Sequence, residues 1–252
     1  MNMTDAQPHI LIVDDEVDAC RNLSDILSDM GYRVDIAHDG PSALQLVQGC
    51  VYDVALLDLK MPGMDGVELY KRIRAMSSGT VAIVVTAFAG SKIAQAALDA
   101  GAAEIIAKPV DLPRLLARVE ETLDQPLIMV VDDDSELCDS LWDLLRENRF
   151  RVAIAHDVGD AEAKLRQHVY QVVLIDMKLP AGTGADVFQL LRRTHSEARA
   201  VLITGFRSET ENQIAEVMAE GADAVAYKPF DIDLLLATVS RLAQKANSKP
   251  RA

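Results

Sequence analysis

A chain of 252 residues, half of them hydrophobic and only 4% aromatic, has room for one large domain or two modest ones around an aliphatic core. Its net charge of -14 excludes a nucleic-acid footprint, and residues 1–124 (-9) and 125–252 (-5) share the excess, so neither half is a masked basic module. Three cysteines with no CxxC pair point to free thiols rather than a metal or redox site, and no apolar run nears the ~20 residues that span a bilayer.

Residues 1–7 lack the charged-then-apolar pattern of a secretory signal, so the expectation is a cytoplasmic protein with no membrane partner and no nucleic-acid partner. In chain order, an apolar strand near 9–13 (β1) ends in Asp14-Asp15 and leads into a helix near 16–30 (α1), with Gly31 where a helix C-cap is expected. A strand near 33–37 (β2) and a helix near 40–48 (α2) follow. The strand near 53–58 (β3) ends in Asp58, before a helix near 65–76 (α3). The strand near 81–85 (β4) leads to Thr86 and a helix near 91–100 (α4), capped at Gly101. The strand near 104–107 (β5) leads to Lys108-Pro109 and a helix near 111–123 (α5). Short, continuous, β-branched strands alternating with helices predict a parallel sheet covered on both faces, with right-handed crossovers.

After Asp124-Gln125-Pro126 the pattern starts again. Leu11-Ile12-Val13-Asp14-Asp15-Glu16 returns as Met129-Val130-Val131-Asp132-Asp133-Asp134, and Ile36-Ala37-His38-Asp39 as Ile154-Ala155-His156-Asp157. Leu57-Asp58-Leu59-Lys60-Met61-Pro62 returns as Ile175-Asp176-Met177-Lys178-Leu179-Pro180, all at an offset of 118. Gly101-Ala102 and Lys108-Pro109 return at an offset of 120, which puts two extra residues between Thr204 and Gly221. A repeat this long marks whole domains, since solenoid repeats run to ~20–50 residues. The expected division is one domain over 1–124, a second over 125–245 and a disordered tail over 246–252. A connection this short, stiffened by proline, is expected to limit relative motion.

Ligands of open α/β sheets bind at the carboxyl ends of the strands. Those ends carry Asp14-Asp15, Asp58, Thr86 and Lys108 in the first copy, and Asp132-Asp133, Asp176, Thr204 and Lys228 in the second. Three carboxylates converging on one rim repel one another unless a cation sits among them, and Mg²⁺, a hard ion that prefers oxygen, is its natural occupant. A lysine and a hydroxyl opposite would face an anion held there, an arrangement suited to phosphoryl transfer.

With these residues the sequence resembles the response-regulator receiver family of two-component signalling, twice and along nearly the whole chain. The resemblance implies two flavodoxin-like (βα)5 domains in tandem, each a doubly wound α/β fold on a five-stranded parallel sheet. It implies that Asp58 and Asp176 accept a phosphoryl group from phosphohistidine, with one Mg²⁺ per domain. Asp15 and Asp133 would bind that ion directly, Asp14 and Asp132 partly through water, and Lys60 and Lys178 through their backbone carbonyls. Lys108 and Lys228 would pair with the phosphoryl group, Thr86 and Thr204 would hydrogen-bond it, and the small Ala87 and Gly205 would leave the donor room. The implied partners are a histidine kinase or a histidine phosphotransfer protein, and a homodimer through the α4-β5-α5 face is a candidate output. On this reading the chain is no enzyme beyond the phosphorylation and dephosphorylation of its own aspartates, and it carries no separate output domain.

Several positions depart from the family pattern. The aromatic residue that receivers often carry three positions before the lysine is replaced by Ile105 and Val225. Tyr227, next to Lys228, faces the other side of its strand and is no substitute. The loop Pro62-Gly63-Met64-Asp65-Gly66 has a variant counterpart in Pro180-Ala181-Gly182-Thr183-Gly184. The second domain is therefore expected to differ in switching or partners rather than in chemistry. The recurring His38 and His156 read as structural or surface residues, and Cys20 and Cys138 as helix-face packing. Two other classes compete: a phosphate-independent docking module, and a haloacid-dehalogenase-type phosphatase. The phosphatase places its nucleophile after the first strand in a D-x-D pattern, whereas this chain has adjacent aspartates there.

Overall fold

The computed structural model describes residues 7–76, 79–205 and 211–247, and within them the chain divides into two compact units, Met1–Gln125 and Pro126–Ala252. The first alternates β1 (His9–Val13), α1 (Val17–Asp29), β2 (Arg33–Ala37), α2 (Gly40–Gly49), β3 (Val54–Leu57), α3 (Gly66–Met76), β4 (Val81–Thr86), α4 (Lys92–Asp99), β5 (Glu104–Ala107) and α5 (Leu112–Leu123). The second repeats this with β6 (Leu127–Val131), α6 (Ser135–Glu147), β7 (Arg151–Ala155), α7 (Val158–Leu165), β8 (Val172–Asp176), α8 (Gly184–Thr194), β9 (Arg199–Thr204), α9 (Glu211–Ala219), β10 (Ala224–Tyr227) and α10 (Ile232–Asn247). All strand pairs are parallel, in the orders β2-β1-β3-β4-β5 and β7-β6-β8-β9-β10. Each unit is thus a flavodoxin-like (βα)5 domain.

Both faces of each sheet are buried, which is why the strands read as unbroken apolar runs. In the first domain Ile10, Ile12, Val54, Leu56, Ile83 and Val85 pack under α1 and α5, against Cys20, Leu27, Leu115 and Val119. The alternate residues Leu11, Val13, Ala55, Leu57, Ala82 and Val84 pack under α2, α3 and α4. The second domain repeats the arrangement, with α6 and α10 on one face and α7, α8 and α9 on the other.

Several helix starts are marked by side-chain caps. Asp39, Ser91 and Asp111 accept from the amides of Ser42, Ala94 and Arg114, and Thr183 and Asp186 form a reciprocal capping box. After α1 the chain turns through Gly31 at φ +89°. At the matching position of the second domain, Arg149 holds φ +62°. The last helix runs through 246–247, two residues into the stretch expected as a tail, and 248–252 lie outside the described residues. Part of the segment expected to hold the two-residue insertion, residues 206–210, also lies outside them.

Candidate functional site

Because every strand of a parallel sheet points the same way, the residues that follow β1, β3 and β5 meet at one edge. In the first domain, carboxylate oxygens of Asp14, Asp15 and Asp58 lie within 4.8 Å of one another, with Asp14 and Asp58 buried and Asp15 exposed. The Lys108 ammonium donates to Asp14 Oδ2 at 2.6 Å and to Asp58 Oδ2 at 3.2 Å. Burial works against the charge on Lys108, but its hydrogen bonds and ion pairs with Asp14 and Asp58 hold its pKa above the ordinary lysine value. Asp58 Oδ1 accepts from the amide of Leu59 at 2.6 Å and, more weakly, of Lys60 at 3.4 Å. Lys60 thus meets Asp58 through its backbone, while its ammonium lies 4.0 Å from the centroid of the Phe88 ring.

Thr86 ends β4 fully buried, and its hydroxyl accepts from the Phe88 amide at 3.3 Å. Its carbonyl receives the Lys108 amide at 2.9 Å, so the threonine and lysine are tied through the backbone. Ala87 is exposed beside it.

The second domain repeats the constellation with one change of geometry. Asp132, Asp133 and Asp176 bring carboxylate oxygens within 4.8 Å of one another. Lys228 donates to Asp132 Oδ2 at 2.6 Å but stands 3.6 Å from Asp176 Oδ1, an ion pair rather than a hydrogen bond. Burial, then the neighbouring Asp132 charge, raises the Asp176 carboxyl to about 6, against the lowering pull of Lys228. Thr204 is buried at the end of β9, its carbonyl accepting the Lys228 amide at 2.8 Å, and Gly205 is exposed. Lys178 bridges to Thr183 across the variant loop.

Three clustered carboxylates with a lysine beside them fit a hard divalent cation with oxygen ligands, and the exposed member leaves the site open to water. The model for the response regulator receiver domain matches this chain at residues 10–120 and again at 128–240. The chain belongs to the response-regulator receiver family. It is 34% identical to a response regulator receiver protein of Anaeromyxobacter sp. (strain Fw109-5), over 92% of this chain and 94% of that protein. It is also 30% identical to the response regulator ArlR of Staphylococcus aureus (strain Mu50), over 91% of this chain and 95% of ArlR. Among solved structures, a CheY-like receiver domain protein from Methanospirillum hungatei JF-1 matches at 34% identity and a TM-score of 0.46, covering 47% of this chain and 95% of that one.

The receiver loops depend on two glycines whose role the sequence does not reveal. A Cβ at Gly66 would lie 2.2 Å from the Asp58 carbonyl oxygen, and one at Gly184 would lie 2.4 Å from that of Asp176. The start of α3 or α8 therefore presses on the backbone of Asp58 or Asp176. Where many receivers carry an aromatic switch residue, Ile105 and Val225 are half-buried and pack onto the helical cores of their own domains.

The repeated cysteines and histidines also reach the sites. Cys20 Sγ and His38 Nδ1 both bond the carbonyl oxygen of Asp14, at 3.3 and 3.1 Å. Cys138 and His156 do the same at Asp132, at 3.2 and 3.1 Å. Burial is the main cause that pushes the two thiols up, to about 11 and about 12, so both stay protonated and donate. Their recurrence 118 residues apart is the only sequence signal of this role. No helix among the described residues is long and apolar enough to cross a membrane.

Proposed function

We propose that both receiver domains accept phosphoryl groups, on Asp58 and Asp176, in a Mg²⁺-dependent reaction fed by a histidine kinase or a histidine phosphotransfer protein. The observation that carries this reading is the doubled cluster: three carboxylates drawn together at the strand ends with a lysine ammonium among them, built twice from the same residue types.

Each site needs a nucleophile, a counter-charge and an approach. In the first, the loop amides hold Oδ1 of Asp58, and Oδ2 is the oxygen we assign to the new P–O bond. As that bond forms, the P–N bond of the donor phosphohistidine breaks and its electron pair returns to the imidazole. Lys108, already 3.2 Å from Oδ2, then pairs with the phosphoryl oxygens, and the Thr86 hydroxyl is the neutral donor available from the next strand. Asp14, Asp15 and Asp58, with the Lys60 carbonyl, would hold the ion, and Asp132, Asp133, Asp176 and the Lys178 carbonyl would hold its counterpart. When bound, Mg²⁺ neutralises the carboxylates and the phosphoryl oxygens. Ala87 and Gly205 keep the approach open for the donor imidazole.

The chemistry changes only the protein's own aspartates, so the signal leaves through protein contacts: a homodimer through α4-β5-α5, or onward phosphorelay. The test is Mg²⁺-dependent trapping of each domain with beryllofluoride, followed by NMR. Beryllofluoride should shift the resonances of both domains when Mg²⁺ is present and leave them unchanged when it is absent. A chain in which neither responds is a docking scaffold.

A further inference from the structure

We propose that Cys20 with His38, and Cys138 with His156, are positioning residues for the divalent cation. Each pair fixes the peptide that joins the two acidic residues of its site. The inference rests on the cation-binding reading above and names the groups that set the strength of binding.

Asp14 is engaged at every polar atom. Its amide donates to the Ala37 carbonyl at 3.2 Å, Oδ1 accepts from the Glu16 amide at 3.0 Å, and Oδ2 accepts from Lys108 at 2.6 Å. Its carbonyl oxygen has two lone pairs and receives two donors, the Cys20 thiol and the His38 ring. A carbonyl only accepts, so His38 carries its proton on Nδ1. These partners come from α1, from the end of β2 and the turn after it, and from the end of β5, so Asp14 is locked from several directions at once.

Asp132 has the same set: the Ala155 carbonyl at 3.0 Å, the Asp134 amide at 3.1 Å, Lys228 at 2.6 Å, and the Cys138 and His156 pair on its carbonyl. The largest difference between the two sets is 3.2 against 3.0 Å, at the Ala37 and Ala155 carbonyls. The exposed loops of the two sites differ in sequence, yet this arrangement is common to both.

The consequence lies one residue on. The Asp14 carbonyl and the Asp15 amide share one rigid plane. Two donors on that carbonyl fix the plane, and so fix the direction from which the exposed Asp15 carboxylate leaves the chain. Asp15 is the most exposed of the three clustered carboxylates and has the most to gain from an anchored backbone. Outer hydrogen bonds that orient metal ligands commonly change affinity ~10–100-fold when removed.

The test uses the full-length chain with paired substitutions in both domains, and reads Mg²⁺ affinity by calorimetry and the unfolding midpoint without metal. His38→Phe with His156→Phe removes the ring donor and should weaken Mg²⁺ binding about tenfold. His38→Asn with His156→Asn places an amide N–H where Nδ1 stands and should restore affinity at the same metal-free midpoint as the Phe pair. Cys20→Ala with Cys138→Ala should also weaken binding, and the corresponding Ser pair, which keeps a donor, should not. The inference is overturned if the Phe and Ala pairs bind Mg²⁺ as tightly as the wild type. It is equally overturned if Asn and Ser fail to rescue, since the residues would then act through packing alone. Should the Phe pair fail to fold, the Ala and Ser pairs decide. A wild-type chain with no Mg²⁺ binding refutes instead the cation-binding reading itself.

Discussion

The two domains share a backbone plan, and within their sites they differ where the lysine meets Asp58 or Asp176. Lys108 is shared between Asp14 and Asp58, whereas Lys228 is held by Asp132 and stands off from Asp176. The site residues are of identical types, and the lysine-to-aspartate distances differ by a few tenths of an ångström; at Asp176, burial and then the Asp132 charge raise the carboxyl pKa. Other contrasts lie away from the sites. At the opposite edge of the first sheet, His9 and the Tyr52 hydroxyl converge on Asp35 Oδ2, and the matching positions of the second are Leu127, Tyr170 and Ala153. On α5, Arg114 and Arg118 pair with Glu104, where α10 and β10 present Leu234, Thr238 and Ala224, with Leu234 66% exposed. The clustered site residues are duplicated and these two side-chain networks are not, which on the proposed reading suits two acceptors with different partners.

The strongest shared constraint is the glycine under each acceptor loop. Gly66→Ala and Gly184→Ala force a Cβ onto the backbone of Asp58 or Asp176, and each should cost its domain about 3 kcal/mol or more and abolish phosphorylation there. Calorimetry and phosphate incorporation read both effects. A harmless substitution in one domain would show that its acceptor loop is built differently.

The next effect belongs to the second domain. Native Asp176 keeps its proton up to about pH 6, while the unfolded carboxyl loses it near 3.8. Between these values the native state binds more protons than the unfolded one. Without metal, the second domain is therefore most stable, as far as this group acts, below about pH 4, and it loses about 2–3 kcal/mol as pH rises through 6. Saturating Mg²⁺ should flatten that slope. Trp142, the only tryptophan, is buried in α6 and reports on this domain in denaturant titrations. A slope that Mg²⁺ does not change would remove Asp176 from the cation site.

The smallest effect compares the turns after α1 and α6. Arg149 occupies the left-handed conformation that Gly31 adopts freely, so Arg149→Gly should stabilise the second domain by about 1 kcal/mol. Gly31→Arg should cost the first domain a similar amount, because nothing crowds that position and only its φ opposes a side chain. Thermal unfolding of the two variants tests the pair.

Much of this was legible in the sequence because parallel strands buried on both faces leave runs such as Ile10-Leu11-Ile12-Val13, and a polar residue ending such a run marks the functional edge. The 118-residue offset exposed the duplication. Features that need three dimensions stayed hidden. The pressure of Gly66 on Asp58 joins residues on either side of a loop, and the meeting of Cys20 with His38 on one carbonyl joins α1 to the turn after β2. Arg149 carries no mark of its left-handed backbone, since an arginine there looks like any surface residue. The unequal reach of Lys108 and Lys228 is set by side-chain placement that Lys-Pro does not encode.

Phosphate incorporation from phosphoramidate with Mg²⁺, measured on the wild type, on Asp58→Asn, on Asp176→Asn and on the double variant, tests the two acceptors most directly. Two working acceptors predict label in both single variants, about half the wild-type amount in each, and none in the double variant. Label surviving in the double variant, or lost entirely in either single one, would contradict them.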